Sequence, residues 1–214
     1  MIAGSMADDD DVALLDAWKA GDKAAGSRLF RRHLPSMHRF FSTKAEPEAI
    51  EELVQDTFLA CLRNRDRFRG DSSFRTFLFG IARLELLAHW RRRNRREVPT
   101  DFDEISVAAL STSVGTKLVR REGRLRMLDA LRELPLEQQL LLELTYWEEL
   151  DGAALASIFD VEAATIRSRL FRAREALRGR LEQMDSIGVR AGDDVDAWAR
   201  ALRDEGAARD PSKP

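Results

Sequence analysis

Cysteine is nearly absent from this chain of 214 residues: Cys61 is the only one. A single thiol excludes an internal disulfide framework and a cysteine-rich zinc site, and it fits a reducing compartment, so a cytoplasmic protein is expected. Histidine is also scarce. His33, His38 and His89 show no metal-ligand spacing, and neither a metal nor another cofactor is expected. No apolar run approaches the roughly 20 residues that span a bilayer. The opening MIAGSMADDDD lacks the charged-then-apolar pattern of an export signal. Runs of alternating β-branched residues are missing as well, which argues against a sheet. Charge of neither sign prevails, with 35 Lys+Arg against 37 Asp+Glu and a formal net charge of -2. A near-neutral total still permits basic surfaces balanced by acidic ones, so the arrangement of charge carries the information.

What is present is helical periodicity, which places the chain in the all-α class, as two small helical domains joined by an extended linker. The first block covers residues 10 to 96 and the second 122 to 184. Between them, 97 to 121 contains Pro99, small polar residues and the acids Glu97, Asp101, Asp103 and Glu104 without a sustained period. A tail follows from 185 to 214, in which Val195, Trp198 and Leu202 share one face of a possible short helix.

In the second block, EAATIRSRLFRAREAL puts Ile166, Leu170, Ala173 and Leu177 on one stripe of a helix. Ser168, Phe171 and Arg172 then point away from it, with Arg167 and Arg169 on the flanks. Upstream, GAALASIF forms a short apolar-faced helix, and Asp160-Val161-Glu162 supplies a tight break. The outline is a helix-turn-helix, which presents its second helix to a DNA major groove where guanidinium groups pair with guanine and hold phosphates. Asp160 sits where glycine would take left-handed φ more easily. The plainer alternative is an exposed helix whose arginines pair with Glu162, Glu175 and Glu182.

In the first block, IEELVQDTFLACL places Ile50, Leu53, Val54, Phe58 and Cys61 on one side and Glu52, Gln55, Asp56 and Leu59 on the other. An acidic face with an exposed leucine suits docking to a basic partner, with Leu59 as an apolar anchor. A solvated face, or metal ligation by Glu51, Glu52 and Asp56, are the competing readings. The next helix begins near Ser73. Its expected buried side is Phe74, Phe77, Leu78, Ile81 and Ala88, which leaves Thr76, Phe79, Arg83, Leu86, Leu87 and Trp90 opposite. Exposed aromatics beside Arg91, Arg92, Arg93, Arg95 and Arg96 suit a surface that neutralises phosphates and stacks on unpaired bases. An inter-helix contact that hides Phe79 and Trp90 is the alternative.

In this order ELVQDTFLACL, RFRGDSSFRTFLFGIAR, LRELPLEQQLLLELTYWEEL and ATIRSRLFRAREAL resemble the extracytoplasmic-function branch of the bacterial RNA polymerase sigma factors. The resemblance covers residues 10 to 184. It implies two all-α domains, regions two and four, with no catalytic centre and no enzyme activity. It also implies that the helix around Glu52, Gln55, Asp56 and Leu59 binds the β′ clamp helices of core RNA polymerase. By the same resemblance, Phe68, Arg69, Asp71 and Ser72 in the following loop, with Phe79, Arg83, Trp90, Arg91 and Arg92, recognise and open a -10 element. Thr165, Arg167, Ser168, Phe171 and Arg172 stand at positions that read a -35 element. The implied partners are core polymerase, through the β′ clamp helices and β flap, promoter DNA and an anti-sigma factor. Membrane insertion is not implied, and the free protein is expected as a monomer.

The chain departs from the family pattern at several positions. Phe77, Gly80 and Leu84 stand where the family often has tryptophan, arginine and asparagine, Gln139 replaces a frequent arginine, and Ala164 replaces a glycine. Two rivals remain at this stage. One is a helix-turn-helix regulator acting without polymerase; the other is a metal-dependent nucleic-acid enzyme built on Glu51, Glu52 and Asp56.

Overall fold

The computed structural model describes residues 3–93 and 128–185, with side chains from 10 to 93 and from 128 to 183. The acidic linker, Arg95, Arg96 and the tail stripe of Val195, Trp198 and Leu202 lie outside the described residues. Within them every regular element is helical: α1 Ala3–Lys19, α2 Lys23–Ser42, α3 Pro47–Asn64, a 3₁₀ turn Arg65–Arg67, α4 Phe74–Arg93, a helical stretch over 128–132, α5 Leu136–Tyr146, α6 Gly152–Phe159 and α7 Ala163–Asp185. Two compact units result.

Local chemistry sets the helix ends. Gly21 takes a positive φ of 106°, after which the Asp22 carboxylate accepts from the Ala24 and Ala25 amides at 2.8 and 3.1 Å and starts α2. Pro47 occupies the start of α3, where its missing N–H costs nothing. Ser73 Oγ accepts from the Thr76 amide at 3.1 Å and caps α4.

In the first unit α1 packs on α2, α2 on α3 and α3 on α4, while α4 also touches α1 and α2. The α1–α2 contact is close enough that a Cβ added at Gly26 would lie 2.6 Å from Trp18 Cδ1. Trp18 meets Phe30 edge-on at 5.0 Å, and Phe30 meets Phe58 at 4.5 Å, so three helices share one aromatic seam. A polar node fastens α1 to α2. Buried Asp11 lies 2.6 Å from His33 Nε2 and accepts from Arg32 Nη1 at 2.6 Å. Burial works to raise the Asp11 pKa, but the hydrogen bonds and charges of His33 and Arg32 prevail and hold the carboxyl below its ordinary value.

In the second unit α5 packs on α7. Ala130, Leu131, Leu134, Leu142, Ala173, Leu177 and Leu181 form its apolar core. Arg169 pairs with buried Glu137, and Arg174 Nε donates to the Tyr146 hydroxyl at 2.6 Å. These two arginines therefore brace α7 against α5 from its flanks.

Candidate functional surfaces

The α3 helix keeps the two-sided pattern that its sequence implies. Ile50, Leu53, Val54 and Cys61 are buried and Phe58 is half-buried, whereas Glu52, Gln55 and Leu59 are exposed and Asp56 is half-exposed. The outward face is more apolar than expected, because Leu62, one turn beyond Leu59, is also 44% exposed. Its spacing of three from Leu59 marks the same face. Glu51 turns toward α2 and meets His38 Nε2 at 3.1 Å. Among the described residues no group of three or more His, Cys, Asp or Glu is arranged to hold a metal.

The loop before α4 is tied down by its first residue. Phe68 is buried, packs on Phe77 at 5.1 Å and Phe74 at 6.4 Å, and its carbonyl accepts from Lys19 Nζ at 3.0 Å. Gly70 turns the chain with φ 80°, which leaves Arg69 and Asp71 exposed and Ser72 half-buried. Phe68 is thus the loop's anchor, and its ring is not offered to a ligand.

The expected faces of α4 need correction. Phe79 and Trp90, expected on an open face, are 0% and 1% exposed, and Thr76, Leu86 and Leu87 are buried with them. Phe79 packs against Phe40 at 5.6 Å, with the Arg75 guanidinium 5.6 Å from its ring. Trp90 lies edge-on to His89 at 5.3 Å. The reason is that α4 contacts all three other helices of its unit and so is covered on more than one side. Neither ring is available to stack on a base. Phe77, Ile81 and Ala88, expected inside, are half-exposed instead. Arg83 is half-buried, while Arg91 and Arg92 are exposed in the last turn.

The helix-turn-helix outline of α6 and α7 is present. Asp151 Oδ1 accepts from the Ala154 amide at 2.8 Å and caps α6, which buries Leu155, Ile158 and Phe159. Asp160 takes the left-handed conformation, φ 53°, and the Val161 amide donates to the Ala156 carbonyl at 3.1 Å, a Schellman closure. Aspartate makes the turn that glycine would make more cheaply. On α7, Ile166, Leu170, Ala173 and Leu177 are buried. Arg167, Ser168 and Arg172 are exposed, Thr165 is half-exposed, and Phe171 stands 64% exposed. The departure at Gln139 is internal: this side chain is buried and donates from Nε2 to Glu143 Oε1 at 2.9 Å.

Comparison with known proteins gives these surfaces their class. Residues 29–96 match Sigma-70 region 2 and residues 124–177 match Sigma-70, region 4, together more than half of the chain. The chain is 28% identical over 183 residues to the ECF RNA polymerase sigma-E factors of Salmonella typhimurium and Escherichia coli (strain K12), covering 81% of this chain and 95% of theirs. Among solved structures, CnrH bound to the cytosolic domain of CnrY is similar with a TM-score of 0.60 at 22% identity, over 81% of this chain and 98% of that one. The sigma factor RpoE bound to the anti-sigma factor NepR from Bartonella quintana is similar with a TM-score of 0.55 at 24% identity, over 73% and 96%. The chain belongs to the sigma-70 family, as an RNA polymerase sigma factor of the extracytoplasmic-function branch. It is accordingly a transcription-initiation factor and not an enzyme. Among the described residues no helix is long and apolar enough to cross a membrane.

Proposed function

We propose that this sigma factor docks on the β′ clamp helices of core RNA polymerase through the outward face of α3, with a further contact to the β flap. The α7 face of Thr165, Arg167, Ser168, Phe171 and Arg172 then reads the -35 element, and Arg69, Asp71, Ser72, Arg83, Arg91 and Arg92 around α4 serve the -10 element and its opening. The observation that carries this reading is the outward face of α7. Phe171 is left 64% exposed among Arg167, Ser168 and Arg172, while the neighbouring Arg169 and Arg174 are consumed by Glu137 and Tyr146. An exposed ring flanked by guanidinium groups suits a major groove, where arginine pairs with guanine and an apolar group meets a thymine methyl. The setting is the cytoplasm, with the free protein a monomer.

An anti-sigma factor is a further proposed partner. NepR bound to a sigma factor supports that, since the RpoE of that complex shares the fold of this chain. Run-off transcription with purified core polymerase on a promoter library tests the whole reading. Transcripts starting downstream of one recurring pair of elements are expected, and none should appear with core polymerase alone. Arg172→Ala should cost about 1–3 kcal/mol and relax the preference at one -35 position. A uniform loss across all sequences would reassign Arg172 to a phosphate.

A further inference from the structure

The loop between Phe68 and Ser73, to which the promoter reading gives Arg69, Asp71 and Ser72, has little of its own to hold it. Among the described residues, 69 to 72 make no backbone–backbone hydrogen bond. Arg69, Gly70 and Asp71 are exposed, and Gly70 turns the chain at φ 80°. Such a segment takes its position from its two ends. One end is Ser73, whose Oγ accepts from the Thr76 amide at 3.1 Å and so belongs to α4. The other is Phe68, and it is held from α1.

Lys19, the last residue of α1, reaches 49 positions along the chain: its Nζ donates to the Phe68 carbonyl at 3.0 Å and lies 5.6 Å from the centre of the Phe68 ring. One residue earlier, the Trp18 ring carries the Arg65 guanidinium at 5.2 Å. The end of α1 thus grips the chain on both sides of the 3₁₀ turn Arg65–Arg67. Trp18 has no room to shift. It is buried, meets Phe30 edge-on and fills the space where a Cβ on Gly26 would clash at 2.6 Å. Lys19 also precedes residues 29–96, the segment that matches region 2, and it belongs to none of the surfaces described above.

We propose that Lys19 is a positioning residue for the -10 contact: its ammonium fixes the Phe68 end of the loop, and so the place from which Arg69, Asp71 and Ser72 meet DNA, without touching DNA itself. This rests on the promoter reading and deepens it. Two simpler roles fit the geometry less well. A lysine that only complements the dipole of its own helix would turn to the last carbonyls of α1, whereas this ammonium is directed at a carbonyl outside the helix. A lysine offered to phosphates would stand in solvent, and Lys19 is half-buried.

The first arm of the test needs only the full chain. Trypsin cleaves after Arg69 when the loop opens, and the fragments are identified by mass. Lys19→Met keeps the stem and removes the charge and the donors. It should speed cleavage after Arg69 about tenfold, the factor for losing one hydrogen bond from a charged group. Lys19→Arg should bring the rate back toward wild type. Cleavage after Arg39, within α2, reports opening of the unit as a whole and should not change.

The second arm uses holoenzyme reconstituted from the full chain and core polymerase, on a promoter from the library selection whose -10 non-template strand is unpaired. Lys19→Met should bind it more weakly by up to about the same factor, because the strand must then order the loop, and should lose little on a template with a scrambled -10 element. Affinity for core polymerase and the -35 preference should be unchanged. So should the slope of log affinity against log salt, since Lys19 neutralises no phosphate.

Unchanged cleavage after Arg69 in Lys19→Met would overturn the proposal, as would equal acceleration after Arg69 and Arg39. Faster loop cleavage with an unaltered -10 preference would overturn it too, and a shallower salt slope would make Lys19 a phosphate contact instead. A wild-type holoenzyme indifferent to scrambling of the -10 element would remove the promoter reading of the loop and the proposal with it, whereas the cleavage arm alone decides whether Lys19 tethers the loop.

Discussion

Phe79 shows how much depends on which way one side chain faces. Its ring is wholly enclosed against Phe40, and truncating a buried phenylalanine costs about 3–5 kcal/mol, a large share of the roughly 5–15 kcal/mol that holds a domain together. Phe79→Ala is therefore expected to lower the denaturation midpoint of the first unit. It should reduce transcription to the same degree on duplex and on pre-opened templates. A variant of normal stability that fails only on the duplex would restore a melting role for this ring. Asp160 teaches the opposite lesson. A residue poorly suited to left-handed φ nevertheless makes the turn, because the Val161–Ala156 hydrogen bond and the buried residues of α6 and α7 on either side determine the backbone there.

At the scale of the element, α3 and α7 were legible and α4 was not. A helix packed on one side only leaves a two-sided sequence, and the buried positions read from the period of α3 and α7 are buried or half-buried in the structure. α4 packs against three helices, so apolar residues occur on more than one side of it and the period no longer tells inside from outside. Choosing one stripe there sent Phe79 and Trp90 outward and Phe77 and Ile81 inward. The pairings Arg169–Glu137 and Asp11–His33 were invisible for another reason. They join residues 32 and 22 positions apart, and no local spacing announces them. Leu62 is legible by the same period, since it stands one turn beyond Leu59.

That addition makes the proposed polymerase face of α3 testable in two parts. Charge reversal at Glu52 and Asp56 should slow association with core polymerase, and the effect should shrink as salt rises. Leu59→Ala with Leu62→Ala should speed dissociation and cost about 2 kcal/mol or more if these are the anchors. Circular dichroism should be unchanged in both, because Leu59 and Leu62 are 41% and 44% exposed and contribute little to the core. Unaltered association and dissociation in both variants would remove α3 from the interface.

For the molecule as a whole, the division into two units has a practical consequence through Cys61. The thiol is buried in the first unit, and burial pushes its pKa up to about 12. Only the thiolate is an effective nucleophile, so alkylation must wait until that part of the protein opens. Because the sequence contains no other cysteine, the labelling rate reports on the surroundings of Cys61 in the first unit. In native buffer the reaction should be slower than in denaturant by orders of magnitude. Phe79→Ala should quicken it, and core polymerase bound over α3 should slow it further. Labelling as fast in the native protein as in denaturant would mean that α3 opens freely. The single cysteine thus lets a binding event on one unit be timed in the intact chain without an engineered probe.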